Sequence, residues 1–184
     1  MSSIILNGDT SGSVTVSAPS VAGTQTVTLP VASGVLQVSG NMPAFSAYLN
    51  VDQTLTTSVS TKVQYGVEQF DTNNNYDSTT NYRFTPTVAG YYQVNGSMQI
   101  QGASSGLYQY SIYKNGSRYF QICGLASNTS VNPSVSGGAV IYMNGSTDYL
   151  EMYAYQNSGG NLVLYGLGSN GGNNFFSASL VRAA

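Results

Sequence analysis

Apolar and polar residues alternate along much of this chain with a period of two. The clearest run is residues 82–102, YRFTPTVAGYYQVNGSMQIQG. Its even positions hold Tyr82, Phe84, Val88, Tyr92, Val94, Met98 and Ile100, and its odd positions hold Arg83, Thr85, Thr87, Gln93, Asn95, Gln99 and Gln101. Side chains in a strand point alternately to its two faces, so this run predicts strands with one dry face and one wet. A bend is expected at Ala89-Gly90 between two strands. Pro86 has no N–H to donate, so its strand is expected at an edge or bulged. No window sustains the i, i+3, i+4, i+7 apolar spacing of a helix.

Turn chemistry divides the rest. In YQYSIYKNGSRYFQI and AVIYMNGSTDYLEMYAY an Asn-Gly pair separates two strand-like runs. Asn and Gly tolerate positive φ, which a two-residue type I′ turn requires, so hairpins are expected at Asn115-Gly116 and Asn144-Gly145. With NLVLYGL and NFFSASLV at the end, about eight to ten short antiparallel strands are expected over residues 44–182, which suggests a sandwich or jelly roll. The segment SVTVSAPSVAGTQTVTLPVASGVLQVSG differs. It reads as three short Val/Thr strands that cannot bury a core in one chain and so need partners. The expected division is residues 1–41 and residues 42–184, with Asn41-Met42-Pro43 as the joint.

Several strands are apolar on both faces. In LYQYSIY, Leu107 and Tyr113 oppose Tyr108, Tyr110 and Ile112; in YLEMYAY, Tyr149, Tyr153 and Tyr155 around Glu151 oppose Leu150, Met152 and Ala154. In FFSASLV, Phe175 and Val181 oppose Phe176, Ala178 and Leu180. A two-layer sandwich buries one face of each sheet, so the second face calls for an enclosed position or another copy of the chain. Closed symmetric association also hides sheet edges that carry few charges.

Composition narrows the function classes. Only 7% of the 184 residues are charged, against roughly 25% in ordinary domains. Lys62, Arg83, Lys114, Arg118 and Arg182 are too few and scattered to neutralise phosphates or to dock on an anionic membrane. No apolar run is long enough to span a bilayer as a helix, and no secretory signal is read at the start. The single Cys123 cannot form an intrachain disulfide. The chain has no histidine, so Ser-His and Cys-His catalysis are excluded and a zinc site is not expected. Asp71 and Asp77 are the nearest candidates for a carboxylate pair, but Asp is also a common turn residue. No enzyme activity and no catalytic, cofactor-binding or metal-ligating residue are expected. The sequons at Asn95, Asn115, Asn128 and Asn144 mean little without a secretory signal, and two coincide with the predicted turns.

Residues 44–182 carry an ordered set of short motifs: AFSAYLN from Ala44, Phe70-Asp71, Tyr76-Asp77, Phe84-Thr85, Gly90 with Tyr92, YKNGS at 113–117, GGAVIYMNGSTDYLEM at 137–152 and FFSASLV at 175–181. This set resembles the C1q-like globular head, the jelly roll shared with tumour-necrosis-factor-like trimers. Asn144-Gly145 stands where that family often has Gly-Asp, and Ala178 where it usually has Gly. The resemblance implies an all-β, ten-stranded jelly-roll sandwich in a homotrimer, with both termini at its base and recognition loops at the other end. No acidic cluster suited to calcium is apparent. Separately, GDTSGSVTVSAPSVAGTQTVTLPVASG at residues 8–34 resembles a segment recurring in structural and fibre proteins of tailed bacteriophages.

Together the resemblances imply a virion protein. Residues 1–41 would be a β-rich attachment or stalk segment that joins other virion structural proteins, and residues 42–184 a trimeric head that binds a host surface glycan or protein. Tyr and Asn side chains suit such recognition. Candidate loops are 73–81, 126–136 and 156–161, with no single binding residue assigned. The alternative keeps the fold and changes the role: capsid decoration or cement, or a neck or baseplate protein, without a receptor. Neither reading calls for nucleic acid, a cofactor or membrane insertion.

Overall fold

A computed structural model describes residues 3–21, 23–24, 26, 40, 42–101, 105–127, 132–166 and 174–184. The chain divides into two compact units, Met1–Val35 and Leu36–Ala184. In the first, β1 (Ser3–Asn7) and β2 (Ser13–Ser17) pair antiparallel, with Ile4 opposite Val16 and Leu6 opposite Val14. These four apolar side chains share one face and are all exposed. The VTVS strand is where the alternation put it, and the IIL strand before it was not anticipated. The two further Val/Thr strands expected before the joint fall on residues outside those described.

The second unit is all β among its described residues. In chain order its strands are β3 (Ala44–Tyr48), β4 (Gln53–Leu55), β5 (Thr61–Lys62), β6 (Val67–Asp71), β7 (Tyr76–Asp77), β8 (Arg83–Phe84), β9 (Gly90–Gln101) and β10 (Gly106–Lys114). They continue with β11 (Ser117–Ser127), β12 (Ser134–Met143), β13 (Leu150–Gln156), β14 (Leu162–Leu164) and β15 (Phe175–Ala183). One sheet runs β11-β10-β13-β8-β7, with β5 also on β13; the other runs β4-β14-β9-β15-β3-β6, with β12 also on β9. The chain passes from one sheet to the other and back, so most pairings are non-local. There are more strands than the eight to ten expected, because β5, β7 and β8 are two-residue ladders that leave almost no alternation to read.

The core lies between the sheets. Along β9, Tyr92, Val94, Met98 and Ile100 are buried to 1% exposure or less, the dry face that the alternation predicted. At the core centre the Phe45 ring stacks on Tyr76 and Phe84 at 4.7 and 4.6 Å between centroids and meets Phe176 edge-on at 4.8 Å. Aromatic pairs at such separations add to the burial of their area. Nearby, the buried hydroxyls of Tyr65 and Tyr110 hydrogen-bond to each other. Burial pushes the Tyr65 phenol well above its ordinary range. The Tyr110 phenol is raised too, by burial first and then by its neighbours Tyr65 and Tyr76. Gly96 makes room for this pair, since a Cβ there would sit 2.7 Å from the Tyr110 ring.

Two turn expectations separate at this level. Asn115 (φ 53°) and Gly116 (φ 78°) both have positive φ, and Lys114 pairs with Ser117, so this is the expected two-residue hairpin. Asn144-Gly145 is not a hairpin. The strand before it, β12, pairs with β9, and the strand after it, β13, pairs with β10 in the other sheet. The connection crosses the sandwich instead. The Asn144 side-chain oxygen accepts from the N–H groups of Ser146, Thr147 and Asp148, each at 3.0 Å. This local bonding is what favours Asn in turns generally. Pro86 likewise lies beyond β8 rather than within a strand, and the bend falls at Thr87-Val88, two residues earlier than expected, with Gly90 already in β9.

Candidate functional site

β7 and β6 are the outermost strands of their respective sheets. Beside them lies an open cleft of about 620 Å³, lined by polar residues of β6, the loop after it, and the segment around β8. Its loop is built by carboxylates. Asp71 ends β6 and accepts from the N–H groups of Asn73 (3.2 Å) and Tyr76 (2.7 Å). Asp77 ends β7 and accepts from the N–H groups of Thr79 (3.0 Å), Thr80 (2.9 Å) and Asn81 (3.1 Å) and from the Asn81 amide (2.7 Å). The backbone N–H groups of Thr80 and Thr79, outweighing a small burial cost, hold the Asp77 carboxyl well below the usual range.

Asn74 (φ 53°) and Tyr82 (φ 50°) sit in the left-handed region on either side of this turn. Asn visits that region readily; a bulky aromatic residue does so only where surrounding contacts impose it. Lys62 supplies one such contact. Its Nζ donates to the Asn81 carbonyl (3.2 Å) and to Glu151 Oε1 (2.6 Å). Glu151 is buried on the outward side of β13, and Lys62 gives it its counter-charge.

With the loop fixed, several groups that line the cleft lack an intramolecular side-chain hydrogen bond among the described residues: the Asn74 amide and the Thr85 and Thr87 hydroxyls. Arg83 has no carboxylate partner there, and its guanidinium lies 4.5 Å over the Tyr149 ring. Glu68 accepts one bond from Ser78 Oγ (2.6 Å).

The outward side of the β10–β13 pair continues this polar character. Tyr113 and Tyr153 stack at 3.9 Å, half-buried, among Gln109, Ser111 and Glu151. Lys114 Nζ bonds Asp148 Oδ2 (2.8 Å) and the Tyr142 carbonyl (2.7 Å). Burial raises the Asp148 pKa, but bonds from Asn115, Lys114 and the Asn144 N–H outweigh it and leave it lowered.

The outward side of the other sheet is different. Cross-strand partners share a face, and the register places Tyr142, Tyr91 and Arg182 in one row, Val140, Gln93 and Ser179 in the next, and Phe175 and Phe70 further along. Val140 is 53% exposed and Val181 60%, and Phe70, Tyr91, Tyr142 and Phe175 are exposed as well.

Of the three candidate loops, 73–81 lines the cleft. Residues 156–161 lie elsewhere, tied to the segment after β4 by Gly159 N–H donating to Thr57 Oγ1 (3.2 Å) and by the buried Gln156 amide donating to the Leu55 carbonyl (3.1 Å). Residues 128–131 of the third loop lie outside those described. Asp71 and Asp77 both direct their carboxylates to N–H groups of their own loop, the bonding of turn residues. Arg83, Thr85, Thr87 and Glu68 were not anticipated. The alternation placed Arg83, Thr85 and Thr87 on a wet face, but nothing in the sequence set them opposite loop 73–81. Among the described residues no three His, Cys, Asp or Glu side chains gather into a metal-holding group.

No protein family matches the chain at the sequence level, and no curated protein does. Solved structures do match. The globular domain of zebrafish complement 1qA aligns over 77% of this chain and 98% of its own, at 18% identity and a TM-score of 0.52. Murine APRIL aligns over 76% of this chain and 99% of its own, at 10% identity and a TM-score of 0.56. PRD1 vertex protein P5 aligns over 78% of this chain and 98% of its own, at 12% identity and a TM-score of 0.50. At these identities the likeness establishes the fold: an all-β jelly-roll sandwich of the C1q and tumour-necrosis-factor type, as the motif set implied.

Proposed function

We propose that this chain is a bacteriophage virion appendage protein whose head assembles as a homotrimer and adheres to the host surface. The observation that carries the reading is the outward face of the β12-β9-β15-β3 sheet. It exposes Tyr91, Val140, Tyr142, Phe175 and Val181 and, apart from Arg182 at its rim, bears no charged side chain in the rows described above. The exposed apolar side chains are spaced by uncharged Gln93, Asn95, Ser177 and Ser179; a face so poor in charge suits association, and a second copy of the same chain is the simplest cover. The jelly-roll likeness, which extends to a bacteriophage vertex protein, supports both the assembly and the virion setting.

Residues 1–41 are the attachment or stalk segment in this reading. The exposed stripe of Ile4, Leu6, Val14 and Val16 supports it, because an isolated two-stranded hairpin is marginal without a partner surface. Threefold presentation would raise the avidity of individually weak sites. No catalysis is part of the reading. The vertex-protein likeness also favours a second one, in which the trimer decorates or cements the capsid without a receptor. Two measurements test the proposal. Virions grown with a chain lacking residues 1–41 should lose the head, and incorporation of the truncated chain would refute the attachment role. The purified full chain should label host cells, and its failure to do so while joining virions would favour the decorative role.

A further inference from the structure

We infer that the cleft between loop 74–81 and the segment around β8 is a subsite for a neutral sugar residue of an oligosaccharide. The inference deepens the adhesive reading and rests on it for biological meaning, though not for chemistry.

The free groups of the cleft define the ligand. The Asn74 amide can donate and accept, and the Thr85 and Thr87 hydroxyls can do both; none has a side-chain hydrogen bond among the described residues. Arg83 offers donors only and is held in place over Tyr149. Glu68 offers acceptors, one already engaged by Ser78. Together these groups offer both donors and acceptors, and a ring bearing adjacent hydroxyls can use both. Charge selects within that class. An anionic ligand facing Arg83 would also meet Glu68 and Asp77, and a cationic one would meet Arg83 beside two carboxylates, of which Asp77 is already engaged by its own loop. A neutral polyhydroxylated ring uses both Arg83 and Glu68 without a repulsive contact.

The loop is also pre-organised. Four hydrogen bonds to Asp77 from the N–H groups of Thr79, Thr80 and Asn81 and from the Asn81 amide, together with Lys62 on the Asn81 carbonyl, fix it before any ligand arrives. Less ordering is then needed on binding, which matters for a site with few contacts.

The test is saturation-transfer-difference NMR on the full chain with methyl glycosides of glucose, galactose, mannose and N-acetylglucosamine, and with methyl glucuronide as the acidic probe. At least one neutral glycoside should receive saturation. Its affinity should fall by about fivefold, the net worth of one hydrogen bond, in Thr85→Val. It should fall further in Asn74→Gly/Thr85→Val, in which Gly keeps the positive φ of residue 74. Neither variant touches a core side chain, and unchanged thermal unfolding would confirm that both fold. Absence of transfer to every neutral glycoside, binding of the glucuronide alone, or transfer unaltered by either variant would overturn the inference. Labelling of a panel of bacterial cells by the fluorescent full chain separates it from the adhesive reading. Cell labelling by the full chain, with no glycoside transfer altered by Thr85→Val, overturns the cleft inference and leaves adhesion standing. Glycoside binding lost in Thr85→Val, with no cells labelled, supports the cleft and removes adhesion.

Discussion

On one outer side of the head, Val140, Tyr142, Tyr91, Phe175 and Val181 present apolar surface, with Arg182 at its rim and the Lys114 ammonium 5.9 Å from the Tyr142 ring. On the other, Tyr113 and Tyr153 stand among Gln109, Glu151 and the Lys62 ammonium, and the polar cleft opens beyond Arg83. Both sides are made of alternating strands over one shared core, so the contrast owes nothing to the fold. It lies in which residues occupy the outward positions. One side is costly to leave in water; the other pairs its buried Glu151 with Lys62 and leaves the Arg83 guanidinium and its hydroxyls available. In the proposed reading the first side serves self-association and the second meets whatever the assembled head binds.

Placing a charge on the apolar side should give the largest effect. Val140→Asp puts a carboxylate where three copies are expected to meet, and an unpaired buried charge costs about 3–5 kcal/mol. The solution mass should drop from three chains to one, while Gln109→Asp on the polar side should leave it unchanged. Next comes Lys62→Met, which strands Glu151, whose side chain is only 5% exposed. Thermal unfolding should show a loss of about 3 kcal/mol. Lys62→Met/Glu151→Leu should recover most of that loss, without any change in mass.

Acidification should divide the two sides in a finer way. Asp77 and Asp148 both have lowered pKa values, and both belong to loops of the polar side. A carboxyl depressed in the folded state contributes stability above its unfolded value, near pH 4, and that contribution is lost as pH falls through the folded value. Protection of the amides of residues 77–82 and 144–148, taken relative to intrinsic exchange at each pH, should therefore fall below about pH 4 while the mass stays at three chains. Dissociation preceding this loosening would contradict the comparison. The smallest effect is expected from Asp77→Ala, about 1–2 kcal/mol at the level of a lost cap. It should be read as faster exchange and weaker glycoside binding confined to the cleft.

Much of the head was legible in the sequence because alternation is a local signal. The buried face of β9, Tyr92, Val94, Met98 and Ile100, follows from counting by two, and the Asn115-Gly116 turn from residue chemistry alone. Asn144-Gly145 misled because the same dipeptide also serves where the chain crosses between sheets, and sheet membership is decided by partners far away in sequence. The cleft was half legible. Its Asn-rich loop stood out, and Asp77 read as a turn residue. Which groups remain free depends on Lys62 and Glu151, 89 residues apart and joined only in the fold. The second apolar faces noted on β10 and β13 are occupied by stacked tyrosines and a paired carboxylate, whereas that on β15 is bare. Alternation could not tell these cases apart.

The central claim is that the bare face is covered by two further copies of the chain. Light scattering on the purified full chain and on residues 42–184, which hold the entire core, tests it most directly. A mass near three chains for both is the predicted result. A monomeric head would contradict it, and would leave the apolar face to a different virion protein.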